Sequence, residues 1–270
     1  MAPAQRRSQP RDPDSVRSSV DPREVEKFAA LAGEWWDPDG KFAPLHKLNP
    51  PRLAFIRNAA LRRFDRDPKA LAPFAGLSLV DIGCGGGLVA EAMVRQGFDV
   101  LGIDAAEENV AAAAAHARET AAPPSYRCAT AEDLVQEQTR FDVVLALEIL
   151  EHVVDRTAFL AICAQLVKPG GLIVLATLNR TLKSLALAKV GAEYILRWLP
   201  PGTHDWNKFV SPDDLSSDLR DLGFAIIETR GITFDPLAWS WQLSADTSVN
   251  YMIAAGNGMS QASTGIRNDS

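Results

Sequence analysis

The chain has 270 residues, 47% of them hydrophobic and 23% charged, which suits one α/β domain with decorations. Its net charge of −6 argues against nucleic acid as a principal partner. No apolar run approaches the roughly 18 residues that a membrane span needs, no signal-peptide core is visible, and Cys84, Cys128 and Cys163 form no CxxC, so they read as reduced thiols of a cytoplasmic protein.

Residues 1–22, rich in Arg, Ser and Pro, read as a disordered tail. Asp21-Pro22 then gives a helix start, and 23–36 carries a helical period with Val25, Phe28, Ala29 and Trp36 as candidate buried positions. A loop punctuated by Pro and Gly leads to a second helix over 51–64, with Pro51 at its first position. From residue 77 short apolar strands (77–83, 98–104, 125–130, 141–147, 171–178) alternate with helices (88–97, 106–120, 156–167), the last helix ending at "KPGG". A helix over 211–222 is capped by Ser211 with Pro212 at its first position, and "FAIIETRGITF" and "VNYMIAAG" close the domain as strands. Apolar strands separated by helices call for a buried parallel sheet with right-handed crossovers. The expected fold is a doubly wound, mostly parallel, seven-stranded Rossmann-like α/β sheet over 23–256. An N-terminal helical cap and a helical insertion near 180–208 decorate it, and 257–270 form a second disordered tail.

"LVDIGCGGGLVAEA" places Gly83, Gly85, Gly86 and Gly87 between a strand and a helix. Glycines allow a sharp turn and close approach of a ligand to main-chain amides. Asp104 ends the next strand, 21 residues after Gly83, where a carboxylate can accept the hydroxyls of a ribose. Gly85-x-Gly87-x-x-Ala90 also fits a dinucleotide register. Asp81 disfavours that rival, a nicotinamide oxidoreductase: a carboxylate beside a pyrophosphate is repulsive, whereas beside a cationic donor it is tolerated or useful. Cys84 packs or offers its backbone.

The order "DIGCGGG … GID … AED … FDVVLALEILEHV … KPGG" resembles the class I S-adenosylmethionine (SAM)-dependent methyltransferases across about residues 75–178. That resemblance implies SAM as cofactor, with Asp81, Gly83, Gly85 and Asp104 binding it and Leu147 presenting backbone and an apolar side chain. Ala131-Glu132-Asp133 either meets adenine or is a helix N-terminus with acids in its first turn.

The flanks "EVEKFAALAGEWWDPDGKFAPLHKLNPPRLAFI", "TLNRTLKSLALAKVGAEYILRWLPPGTHDWNKFVSPDDL" and "DTSVNYMIAAG" resemble one family among these, the ubiquinone-biosynthesis O-methyltransferases. The resemblance implies methyl transfer to the phenolic hydroxyls of 2-polyprenyl-6-hydroxyphenol and 3-demethylubiquinol, and it leaves room for contact with other ubiquinone-biosynthesis proteins. It makes Arg52 a partner of the methionine carboxylate. Trp35 and Trp36 are expected to pack the cap over the site.

"EILEHVVD" follows the fourth strand, at the carboxyl edge where such sheets bind ligands. Glu148, Glu151 and His152 share one face if helical. Alone this reads as a solvated acidic turn. With the resemblance it reads as a site for a divalent metal, Mg²⁺ or similar, ligated by Glu148, Glu151 and His152, with Glu148 and His152 catalytic. The rival makes His152 a direct general base without metal. A polyprenyl acceptor lives in the bilayer. Across 182–199, Leu185, Ala188, Ala192, Ile195, Leu196 and Leu199 recur on one face, with Lys183, Lys189 and Arg197 opposite. That face either lies on an anionic lipid surface, peripherally on the inner membrane, or docks on the sheet or a second copy. "PPGTHDWNKF" is expected to close over substrate, with His204 and Asp205 as candidate acid–base groups. His46 and His116 read as structural or exposed.

Overall fold

The computed structural model describes residues 19–120, 122–181, 184, 208–235, 237 and 240–258. The stretch 182–199 expected as an insertion helix (Ser184 apart), His204, Asp205 and most of both tails therefore lie outside the described residues.

Strands β1 (Ser78–Ile82), β2 (Asp99–Asp104), β3 (Ser125–Cys128), β4 (Phe141–Leu147) and β5 (Val167–Leu178) pair in parallel. Three further strands, β6 (Phe224–Asp235), β7 (Ser240–Ser244) and β8 (Asn250–Asn257), add antiparallel pairings. The sheet order is β3-β2-β1-β4-β5-β8-β6-β7. It reverses direction between β1 and β4, the topological switch point where such sheets leave a crevice at the strands' carboxyl ends. The central strands are buried on both faces: Val80, Val143, Val144, Leu145, Ile173 and Val174 are fully covered. This two-sided burial is why these strands read as continuous apolar runs rather than alternating ones.

Helices α1 (Pro22–Ala29), α2 (Ala43–Arg63), α3 (Leu88–Val94), α4 (Glu107–Ala117), α5 (Ala131–Gln136), α6 (Arg156–Gln165) and α7 (Pro212–Asp221) surround the sheet. The caps act as their chemistry requires. Asp21 accepts from the Arg23 amide with Pro22 following, and Ser211 accepts from the Asp214 amide with Pro212 following.

Several expectations are corrected. The first helix stops at Ala29, and a separate 3₁₀ turn spans Ala32–Glu34. No α1 residue is fully buried, because this helix edges the cavity described below rather than the core; Trp35, not Trp36, is the buried indole. The second helix starts at Ala43, eight residues early, with Pro50 and Pro51 inside it. A helix tolerates prolines at the loss of the amide bonds they would have made, here to the carbonyls of His46 and Lys47. "KPGG" lies within β5 rather than between helix and strand, and the sheet has eight strands, because Ser240–Ser244 forms a hairpin with β6. The expected boundary of the first tail, 22, falls inside packed chain. Ser19 is buried, its amide donates to Glu132 Oε1 at 2.6 Å, and Val20 bridges Val153.

Truncating the fully buried Leu145 at the centre of β4 tests this core. Leu145→Ala is expected to destabilise the fold by about 2–5 kcal/mol in chemical denaturation. A cost below about 1 kcal/mol would place Leu145 outside a close-packed interior.

Candidate active site

The turn from β1 into α3 needs left-handed backbone at Gly83 (φ 69°), Gly85 (φ 53°) and Gly87 (φ 86°), which glycine adopts without penalty. Close packing adds to that demand. A Cβ on Gly83 would meet Ile149 Cδ1 at 2.0 Å, and one on Gly85 would meet the Trp35 ring at 2.4 Å. Trp35 stacks on Phe42 with centroids 3.8 Å apart and donates to Asn109 Oδ1 at 2.9 Å; Trp36 donates to the Gly86 carbonyl at 2.8 Å and stacks on His116. The helical cap is thus fastened onto the glycine turn by two indoles, as expected of Trp35 and Trp36. His46 and His116 serve this packing, His46 through the Trp35 carbonyl and His116 also through Glu91.

The turn's amides are largely spoken for. The Cys84 amide donates to Ile103 O, the Gly87 amide to Cys84 O, and the Gly85 amide to Asp104 Oδ2 at 3.0 Å. A pyrophosphate needs such amides free. With three of them bonded internally and Asp81 below, the turn suits the positive end of a ligand, met by carbonyls and carboxylate. The glycines serve the turn and its packing, and Gly83 and Gly85 themselves line the cavity described below.

Asp104 is held at the rim by the Gly85 amide, the Ala106 amide at 2.9 Å and Asn109 Nδ2 at 3.1 Å. Asp81 is buried one strand away. Burial, and then the Asp104 charge, push its carboxyl up to about 7. A cation arriving beside Asp81 would restore its charge. Cys84 is buried and its thiol is raised well above the usual range by burial first, so it is an inert packing group. Asp133 closes a capping box with Thr130, so of the two acids after β3 only Glu132 faces the cavity. Its Oε2 is buried and without a hydrogen-bond partner.

Arg52 rises from α2 and is 4% exposed. It pairs with Glu148, yet its Nε is buried without a partner. Glu148 takes a left-handed backbone (φ 56°) directly after β4, a conformation that costs a non-glycine residue about 1 kcal/mol or more and concentrates at functional sites. Glu151 is buried and accepts from Thr177 Oγ1 at 2.8 Å; burial, then the Glu148 charge, push its carboxyl above the usual range. His152 places Nδ1 2.9 Å from Glu24 Oε2 and meets the Phe28 ring edge-on. Burial opposes its charge, but the Glu24 hydrogen bond and the charges of Glu151, Glu24 and Glu148 outweigh it and raise its pKa. The same hydrogen bond holds Glu24 down to about 2 against partial burial.

Nine of the residues singled out by sequence (Arg52, Asp81, Gly83, Gly85, Asp104, Leu147, Glu148, Glu151 and His152) line one cavity of about 620 Å³, within the range of small-molecule sites. In the side-chain arrangement described, Glu148, Glu151 and His152 turn to three different partners. No group of three metal-ligating side chains converges among the described residues. Glu132, from the stretch read either as an adenine contact or as a helix start, lines the cavity too, and so do Glu24 and Trp241, which were not foreseen as site residues. No signal in the sequence joins Glu24 to His152, 128 positions away.

A family model for a methyltransferase domain matches residues 53–229. A ubiquinone biosynthesis O-methyltransferase of Caulobacter vibrioides is 57% identical over 236 residues, covering 87% of this chain and 94% of its own length. One of Cereibacter sphaeroides is 53% identical, covering 89% and 98%. The chain belongs to the ubiquinone biosynthesis O-methyltransferase family. Among solved structures, the magnesium protoporphyrin IX methyltransferase of Synechocystis with bound SAH shares the fold at a TM-score of 0.57 and 21% identity, covering 87% of this chain and 94% of that one. A possible histamine N-methyltransferase of Thermotoga maritima does so at 0.58 and 16%, covering 87% and 99%. The family, the fold and the cavity agree on a SAM-dependent O-methyltransferase.

Because the folded-state pKa of Asp81 is raised, its contribution to stability is full below the ordinary value of 3.8 and is lost as pH rises through about 7. Asp81→Asn without donor is therefore expected to melt above the parent chain at about pH 8, with the gap narrowing as pH falls and closing only near the ordinary value of 3.8. A gap independent of pH would contradict the assigned burial of that carboxylate.

Proposed function

We propose that this chain methylates the phenolic hydroxyls of 2-polyprenyl-6-hydroxyphenol and 3-demethylubiquinol, using SAM held at the carboxyl edge of β1, β2 and β4. The observation that carries the reading is the buried guanidinium of Arg52, with a polar atom still unpartnered, in the same cavity as the rim carboxylate of Asp104. Arg52 takes the methionine carboxylate, Asp81 faces the donor's positive end, Asp104 accepts the ribose hydroxyls, and Leu147 lies along the donor. The sulfonium loses its charge as the methyl moves, so a cavity walled by Phe28, Leu31, Phe42 and Trp241 favours transfer over a wet one.

A phenol with a pKa near ~10 is mostly protonated at neutral pH and attacks poorly. A divalent cation bound at Glu148, Glu151 and His152 would supply the Lewis acidity that lowers this pKa. The donor set fits: two carboxylates and an imidazole line one cavity, and Glu148 and Glu151 repel one another, a repulsion that a cation relieves. His152 keeps Nδ1 on Glu24, an arrangement that orients metal-binding imidazoles and leaves Nε2 to act on the cavity side. Glu24 is thus a positioning residue, and the second reading, His152 as direct base, uses the same hydrogen bond. Exhaustive chelation is expected to abolish methyl transfer to a catechol analogue, with Mg²⁺ or Mn²⁺ restoring it. Full turnover after metal removal selects the direct-base reading.

The acceptor's tail requires contact with a bilayer. No described helix is long and apolar enough to cross one. The apolar periodicity and flanking basic residues of the 182–199 sequence support peripheral attachment to the inner membrane. Vesicles containing anionic lipid are expected to retain the protein in flotation, and changing Lys183, Lys189 and Arg197 to Glu should release it. Equal retention of the triple variant would remove the lipid-surface reading.

A further inference from the structure

The Arg52–Glu148 pair joins two halves of the cavity that the proposed function treats separately. Arg52 belongs to the donor half. Glu148 belongs to the acceptor half, four positions before His152 and beside the buried Glu151. Yet in this structure Glu148 spends its charge on Arg52. The side chain of Arg52 is 5% exposed, and a buried guanidinium left without an anion is strongly unfavourable. Without donor, something must fill that role. Glu148 does so from a strained backbone, while Arg52 Nε still lacks a partner. One carboxylate oxygen on one guanidinium nitrogen is a poorer match than the two parallel bonds that a free carboxylate can form.

The geometry points to Glu148 as a stand-in for the donor's own carboxylate: when the methionine carboxylate takes Arg52, Glu148 is released towards Glu151 and His152. This rests on the reading of Arg52 as the donor's carboxylate partner. The chain would then refuse to assemble its acceptor half around an empty donor half. A released Glu148 beside Glu151 concentrates negative charge where the acceptor hydroxyls and a divalent cation are to be held. Donor binding therefore favours cation binding, and by linkage the cation favours the donor to the same degree. Discrimination follows as well, since only a ligand carrying the carboxylate can trigger the exchange.

The test compares S-adenosylhomocysteine with 5′-methylthioadenosine, which keeps the nucleoside and sulfur but lacks the carboxylate. In calorimetry Glu148→Gln is expected to bind S-adenosylhomocysteine about ten-fold more tightly than the parent chain, because the internal competitor for Arg52 is gone. Its affinity for methylthioadenosine is expected to be unchanged. In the parent chain, which needs no substitution to fold, S-adenosylhomocysteine is expected to tighten Mn²⁺ binding severalfold and methylthioadenosine is not. Unchanged or weaker S-adenosylhomocysteine binding by Glu148→Gln overturns the exchange while leaving the donor site intact. So does equal coupling of Mn²⁺ to both nucleosides, or to neither. Failure of the parent chain to bind S-adenosylhomocysteine at all sinks the donor reading and the exchange with it.

Discussion

A guanidinium buried under a protein surface needs an anion, and in this fold that requirement organises the active site. Arg52 stands on α2, the cap helix that lies across β7 and β8, and its side chain reaches the rim of β4. Whichever carboxylate answers it sets the state of the cavity. Around that fixed cation lie acids in graded environments. Asp104 is tied down by two amides and an asparagine, Asp81 is buried and near neutrality, and Glu151 is buried against Thr177. Such a gradient allows one cavity to meet a sulfonium, a ribose and a phenol at different points along its length.

The cap makes the cavity a cavity. The sheet supplies only the floor. The walls come from α1, Trp35 and the first turns of α2, and they hold through contacts remote in sequence: Trp35 on the glycine turn, Glu24 on His152, Ser19 on Glu132. These links tie together regions that must be dry for methyl transfer. They also explain why the stretch just before α1 is packed, although its composition is that of a tail.

The parts legible in sequence were those fixed by local chemistry or by two-sided burial. Four of the five parallel strands announce themselves as apolar runs, the polar edge strand β3 being the exception, and the caps at Asp21 and Ser211 announce themselves by proline and hydroxyl or carboxylate chemistry. Gly83 and Asp104 mark the switch point by spacing alone. Other features were illegible for physical reasons. Pro50 and Pro51 read as a helix start, but tertiary packing carries the helix through them. Ser240–Ser244 has an ordinary strand composition that only its hairpin partner reveals. The pairing of Arg52 with Glu148, and of His152 with Glu24, joins residues 96 and 128 positions apart, which no periodicity encodes. The fold and nine candidate residues that come together in one cavity could thus be read from the chain, but not their partners, nor Glu24 and Trp241 beside them.

The most direct measurement is a crystal structure of the full chain with bound S-adenosylhomocysteine. The account predicts its carboxylate on Arg52, its ribose hydroxyls on Asp104, and Glu148 turned away towards Glu151 and His152. A nucleoside lodged elsewhere, or one seated at Asp104 while Glu148 still holds Arg52, would contradict it.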